Sequence, residues 1–181
     1  MTLAQRTGAA SQILRRFRVD FAPAHRPPSA VSVVAATVVS VCCSLLADAL
    51  LVFFAQAVFP STLGYPHFQF PDYAKLTVIG VVIACVAWPI VTRISSAPRW
   101  LFFRLAILVT LMLWLPDLWI LLRGAPVKAV AVLVVMHLAI ALVTYNALVH
   151  LARTEPAARP RVSAHARPPA SSPSPYAGRE S

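Results

Sequence analysis

The sequence predicts an all-α integral membrane protein, a bundle of four membrane-spanning helices with disordered termini. Of its 181 residues, 59% are hydrophobic and 12% are charged, whereas soluble globular chains carry roughly a quarter charged residues. The apolar residues are concentrated in four long runs, each of which is long enough to cross a bilayer as a helix. A transmembrane β-barrel is excluded, because its strands would alternate polar and apolar residues.

The positions of these runs divide the chain into three segments. Residues 1–30 form a basic amphipathic arm, residues 31–152 form the four-helix domain, and residues 153–181 form a tail rich in Pro, Arg and Ser. The tail lacks apolar periodicity and cannot bury a core, which predicts disorder. The four spans are expected at about 31–58, 76–91, 105–122 and 127–151.

The N-terminal arm intersperses basic with apolar side chains. Arg15, Arg16 and Arg18 lie among Leu14 and Phe17. A short basic amphipathic helix of this kind is suited to lying on an anionic membrane surface. A disordered arm that only sets the topology fits the same charges. The predicted partners are therefore the lipid bilayer and, through this arm, anionic lipids.

The formal net charge of +10 does not indicate a nucleic-acid-binding protein. Lys and Arg lie in the terminal segments and short connections, whereas a nucleic-acid-binding face is a basic patch on a folded surface. Five basic residues are in the arm, three lie between the second and third spans and five are in the tail, against three in the other two connections. This distribution predicts a plasma-membrane protein with both termini in the cytoplasm.

Two carboxylates and one imidazole lie inside the predicted spans. At about 1.5 Å of rise per residue, Asp48 and His137 lie roughly 15 Å, and Asp117 roughly 8 Å, below the outer helix ends. Ser44 lies one turn from Asp48, and Thr144 shares a face with His137. Because ionisable side chains in spans rarely face lipid, these five residues form the candidate intramembrane site.

Two interpretations of this cluster stay open. In the first, Asp48 bonds to His137, or is protonated, and fixes which helices meet, and such a polar contact is worth on the order of 1 kcal/mol. In the second, the cluster binds a cation or passes protons, because imidazole titrates near physiological pH. An intramembrane enzyme would need a nucleophile–base pair, for which only Ser44 and His137 are available. We therefore predict no enzymatic activity, no catalytic residue, no cofactor and no metal site.

One weaker pattern concerns helix packing. Gly80 and Ala84 form a small-xxx-small pair in the second span, which favours the close approach of another helix. Cys42, Cys43 and Cys85 all lie inside spans and imply no disulfide framework.

Short motifs near the ends of the third span and within the fourth carry a family resemblance: Arg99-Trp100, Pro116-Asp117, and Met136-His137-Leu138 after a short reversal. With these motifs, residues 31–152 resemble a family of small four-span membrane proteins of high-GC Gram-positive bacteria, a domain of unknown function. The resemblance implies four helices and membrane residence, and it implies no activity. Asp48 and the Pro-rich tail are not matched by the resemblance.

Taken together, these patterns predict a non-enzymatic scaffold or accessory subunit that forms homo- or hetero-oligomers. A small proton- or cation-coupled transporter is the alternative, and it would use the Asp/His cluster. The absence of an inverted repeat or of two broken helices at matching positions disfavours the transporter.

Overall fold

The structure is a computed structural model that describes Gln12, Val19 and residues 25–156. Most of the predicted amphipathic arm, including Arg15, Arg16 and Arg18, lies outside the described residues. The predicted disordered tail also lies outside them beyond residue 156.

Four long helices account for most of the described chain: α1 (Ala30–Val58), α2 (Phe70–Ile94), α3 (Pro98–Leu122) and α4 (Val127–Leu151). Two 3-10 turns, Pro60–Thr62 and Pro66–Phe68, connect α1 to α2. Each long helix is long and apolar enough to cross a membrane. The all-α bundle predicted from composition is therefore confirmed.

Helices α2 and α3 begin earlier than the spans predicted at 76–91 and 105–122. α2 begins at Phe70 and α3 at Pro98, and each has a proline at one of its first two positions. Proline is favoured there because the first turn has no intrahelical partner for its N–H groups. On their N-terminal sides, the predicted spans were limited by the charges of Lys75 and Arg104. A helix can nevertheless include such a residue, because its long side chain reaches the membrane–water interface.

The segments that flank the helices show which ends of the bundle coincide. Strand β1 (His25–Arg26) pairs antiparallel with strand β2 (Glu155–Pro156), and Val19 forms a bridge with Ser95 between α2 and α3. We call this the terminal end of the bundle. The connection 59–69 and the α3–α4 reversal lie at the opposite end, the loop end. An even number of antiparallel spans requires this arrangement.

The described residues pack into two apolar clusters, one toward each end. Helix α4 packs most extensively against α1 and also contacts α3 and α2. The terminal cluster includes Ala36, Val81, Trp88, Phe102 and Leu148. The loop cluster includes Val52, Phe68, Tyr73 and Met136.

The outer surfaces of all four helices are apolar and exposed, as expected for lipid contact. Gly80 belongs to this surface: it is exposed, and nothing lies within 4 Å of a Cβ built on it. Gly80 therefore does not mediate close packing between helices of the described chain, whereas Ala84 does pack against the terminal cluster.

Candidate intramembrane polar site

A layer of polar side chains lies between the two apolar clusters, and we call it the polar layer: Ser40, Ser44 and Asp48 of α1, Thr77 of α2, Asp117 of α3, and His137 and Thr144 of α4. All of these except His137 are at most 5% exposed. On α1, Asp48 lies between Ala36 of the terminal cluster and Val52 of the loop cluster. The structure thus brings the five candidate residues of the sequence analysis into the bundle interior.

Asp48 is bonded to a residue that the sequence analysis missed. The hydroxyl of Thr77 donates to Asp48 Oδ2 over 2.6 Å, which joins α2 to α1. This distance is typical of a hydroxyl bonded to an ionised carboxylate. Thr77 could have been found, because it lies one helical turn from Val81 on the inward face. The predicted second span began at Leu76, however, which placed Thr77 at the membrane interface rather than inside the bundle.

His137 is held by its own helix and by Asp117. Its Nδ1 lies 2.9 Å from the carbonyl oxygen of Leu133, one turn earlier. Since a carbonyl oxygen only accepts, this contact requires that Nδ1 carry a hydrogen. The same nitrogen lies 3.0 Å from Asp117 Oδ2. At this distance the imidazole and the carboxylate form a direct polar contact, which is an ion pair when the imidazole is protonated. This contact joins α3 to α4.

The predicted hydrogen bond between Asp48 and His137 is not formed. Asp48 Oδ2 is bonded to Thr77, and Asp48 Oδ1 has no hydrogen-bond partner among the described residues. Asp48 and His137 interact electrostatically without touching through a hydrogen bond. The helix rise used in the sequence analysis gives the depth of Asp48 and His137 in the membrane. It does not give the rotation of each helix about its own axis. This rotation turns the imidazole toward Asp117.

Two hydroxyl groups of the polar layer are buried without partners. The oxygens of Ser44 and Thr144 make no hydrogen bond to any described residue, and the Ser40 hydroxyl interacts with the thiol of Cys85 on α2. Other hydroxyls in the bundle behave differently: Thr37 and Thr110 each donate over 2.8 Å to the carbonyl one turn earlier. The hydroxyl groups of the polar layer therefore do not bond to the backbone carbonyls of their own helices.

The connection between α1 and α2 covers the polar layer at the loop end. Phe68 is buried in the loop cluster, and the rings of Tyr65 and His67 meet edge to face at 5.4 Å. Burial, and secondarily the nearby Asp117 carboxylate, raise the pKa of the Tyr65 hydroxyl. His67 also interacts electrostatically with Asp117. Sequence analysis did not assign either residue to the cluster, because their approach depends on the fold of the connection.

Within residues 25–156, the arrangement has neither the ligand set of a transition-metal site nor a hydrogen-bonded pair of nucleophile and base at Ser44 and His137. No group of three or more His, Cys, Asp or Glu side chains in residues 25–156 could hold a metal ion. Ser44 Oγ has no partner in this part of the chain, so His137 does not activate it. Asp72, near His67 in sequence, instead lies 3.3 Å from Lys75 on the surface.

Together, the fold and the site define a multi-pass membrane protein: a four-helix bundle that encloses carboxylates, hydroxyls and one imidazole. Comparisons with known families, with curated proteins and with solved structures found no match. The resemblance to a family of four-span proteins stays a prediction.

Proposed function

We propose that the protein is a non-enzymatic scaffold or accessory subunit whose third helix binds a partner within the membrane. The observation that carries this proposal is the unequal burial of the helices. In an apolar 18-residue window of α3, 11% of the residues are buried, against 28% in the corresponding window of each of the other three helices. Within the described chain, the buried residues that α3 adds to the apolar clusters are Leu101 and Phe102.

The weak packing of α3 matters because of what stabilises helices in lipid. Burial from water is no longer a driving force there, so helix association depends on side-chain packing and on interhelical polar contacts. α3 packs mainly against α4, and the Asp117–His137 contact fixes its rotation there. The opposite face carries large exposed side chains, among them Leu108, Met112 and Leu115. A partner helix would gain packing area on this face, and a second copy of the chain or another membrane protein could supply it.

Tryptophan substitutions on matched exposed positions test this role. Leu108→Trp and Leu115→Trp lie on α3, where the native side chains are 56% and 54% exposed. Leu46→Trp on α1 and Ile83→Trp on α2 are the controls, at 61% and 63% exposed. In affinity purification from mild detergent, the α3 variants should lose the partner that accompanies the wild type, whereas the controls should retain it. Retention by all four variants would contradict a partner-binding α3.

We further propose that the terminal end faces the cytoplasm from the plasma membrane. The support is that the arm, the adjoining ends of α2 and α3, and the tail hold thirteen of the sixteen basic residues, and that positive residues are retained on the cytoplasmic side. In this orientation Arg15, Arg16 and Arg18 reach the anionic leaflet, which makes anionic lipid a further proposed partner.

A second candidate function is a small proton- or cation-coupled transporter, which the unbonded Asp48 Oδ1 favours. A purely structural clamp would be expected to satisfy both oxygens of a buried carboxylate, because an unpaired polar atom is costly there. Proteoliposomes distinguish the two functions: Asp48→Asn abolishes cation flux in a transporter, whereas a scaffold has no flux to lose.

A further inference from the structure

A groove lies between α1 and α4 at the loop end of the bundle. Its volume is about 420 Å³, and all of its lining side chains except Lys128 are apolar. Ala55 of α1 and Ala131 of α4 line it with no more than a methyl group each, so the protein does not fill the space between the two helices. Ala55 is 4% exposed and belongs to the loop cluster, which gives the groove a packed floor.

The dimensions of the groove indicate what occupies it. It extends along α1 from Leu51 to Val58 and along α4 from Val127 to Val135, which is about 10–12 Å at the rise of an α-helix. The hydrocarbon core of a bilayer is about 30 Å thick, so a spanning helix needs a much longer surface. A lipid hydrocarbon chain of one leaflet fits this length, and its contacts replace the van der Waals contacts that an empty groove would lack.

One positive charge lies at the mouth of the groove. Lys128 is in the first turn of α4, which contains no acidic side chain. Its ammonium nitrogen lies 4.9 Å from the centroid of the Phe59 ring, which also lines the groove. The ion pairs of the described chain involve other residues, so Lys128 has no acidic partner there. The site is therefore complementary to an anionic group that is joined to a hydrocarbon chain.

We propose that this groove binds one phospholipid of the leaflet at the loop end, with an acyl chain between Ala55 and Ala131 and the phosphate against Lys128 Nζ. An uncharged hydrocarbon would fill the groove but leave the ammonium group unpaired, and a soluble anion would do the reverse. A phospholipid satisfies both. Headgroups with a net negative charge are preferred, because the second charge of a zwitterionic headgroup is positive and the groove offers no acidic side chain to pair with it.

The inference goes beyond the proposed function, because the groove is formed by α1 and α4 and the proposed partner-binding face is on α3. It also concerns a different leaflet from the N-terminal arm, since the arm precedes α1 at the terminal end. In the proposed orientation the bound lipid belongs to the outer leaflet.

Native mass spectrometry of the full-length protein, released from lipid nanodiscs, tests the site. The nanodiscs contain equal amounts of phosphatidylcholine and phosphatidylglycerol, and collisional activation is raised until loosely held lipids leave. One phospholipid should remain on the wild-type protein after the others are lost. Phosphatidylglycerol should be enriched in this last lipid relative to the composition of the nanodisc.

A groove-filling variant locates the acyl chain. Ala131→Phe should abolish the retention of the last lipid, because the ring occupies the groove. Folding should tolerate this change, since Ala131 is exposed. Ala35→Phe is the matched control: it makes the same change at an exposed alanine of α1 near the terminal end, and it should retain the lipid.

A charge variant locates the phosphate. Lys128→Gln should reduce the preference for phosphatidylglycerol about fivefold, the effect of about 1 kcal/mol for one basic residue at an anionic surface. Arg123→Gln is the control, and it should keep the preference. The Arg123 guanidinium lies at the same end of the bundle and is also 4.9 Å from an aromatic ring, that of Trp119, but Arg123 does not line the groove.

Three outcomes overturn the proposal: a wild-type protein that retains no last lipid, retention that Ala131→Phe leaves unchanged, and an equal loss of preference in Lys128→Gln and Arg123→Gln. A wild-type dimer that Ala131→Phe converts to monomers would also contradict it, because a second copy of the chain would then occupy the groove. The tryptophan variants of α3 are read by retention of a protein partner, so either proposal can fail without the other.

Discussion

Thr77 links two helices through a single short hydrogen bond. Its hydroxyl donates to a carboxylate that is fully buried, and hydrogen bonds to charged groups are stronger than those between neutral groups. The contribution of Thr77 to stability is therefore largest when the Asp48 carboxylate is ionised.

Replacing Thr77 with valine should destabilise the bundle by about 1–2 kcal/mol, because the carboxylate loses the one donor that it has among the described residues while the shape of the side chain is kept. Thr77→Ser retains the hydroxyl and should recover most of the loss. Reversible unfolding in mixed micelles, titrated with a denaturing detergent, measures both free energies.

Thr110→Val is the matched control, since the Thr110 hydroxyl donates within its own helix and its loss should cost much less. Equal destabilisation by Thr77→Val and Thr110→Val would show that the hydrogen bond to Asp48 stabilises the bundle no more than a bond within one helix.

At the residue scale, sequence periodicity was enough to place Ser44, Asp48 and His137 inside the bundle. It could not determine which of them touch. Contacts between helices depend on rotations of a few tens of degrees about each axis, and these are set by the packing of all neighbours. The pairing of His137 with Asp117 rather than with Asp48 is a consequence of such a rotation.

The reversal between α3 and α4 ends α3 with a specific backbone motif. Gly124 has a φ of +92°, its N–H donates to Leu121 and the N–H of Ala125 donates to Ile120. This is the Schellman arrangement, which favours glycine at the left-handed position. Both bonds are accepted by carbonyl groups of the last helical turn.

Gly124→Ala should therefore destabilise the protein by about 1–2 kcal/mol, because a Cβ in the left-handed region meets its own backbone. The same change at Gly80 should be neutral or stabilising: Gly80 lies in a regular helix with open space around it, where alanine is the better helix former. Unfolding in mixed micelles compares the two variants, and a larger loss at Gly80 would show that its exposed face is packed after all.

At the element scale, the sequence predicted the number and order of the helices, because each apolar run is long and has clear breaks. It did not predict where α2 and α3 begin. The charges of Lys75 and Arg104 limit an apolar run but not a helix, and Pro71 and Pro98 mark the actual starts. This error also hid Thr77 from the candidate site.

At the scale of the whole molecule, the bundle geometry determines which segments lie on the same side of the membrane. The segments before α1 and after α4 meet at one end, and the connection that contains His67 lies at the other. The basic residues favour the cytoplasm for the end where the termini meet.

An epitope inserted beside His67 should therefore be accessible to antibody on intact cells, whereas an epitope after Ser181 should become accessible only after permeabilisation. The surface position of His67 makes the insertion tolerable. Labelling of both epitopes on intact cells would contradict the four-span topology, and the reversed pattern would contradict only the orientation.

The pairing of His25–Arg26 with Glu155–Pro156 has a consequence for anything attached to the chain. Neighbouring strands are about 5 Å apart, so both ends of the polypeptide start from nearly the same point on the membrane surface. A molecule captured by one end is held within reach of the other at a local concentration on the order of millimolar. Donor and acceptor fluorophores fused to the two ends would consequently report on each other within a single copy of the protein.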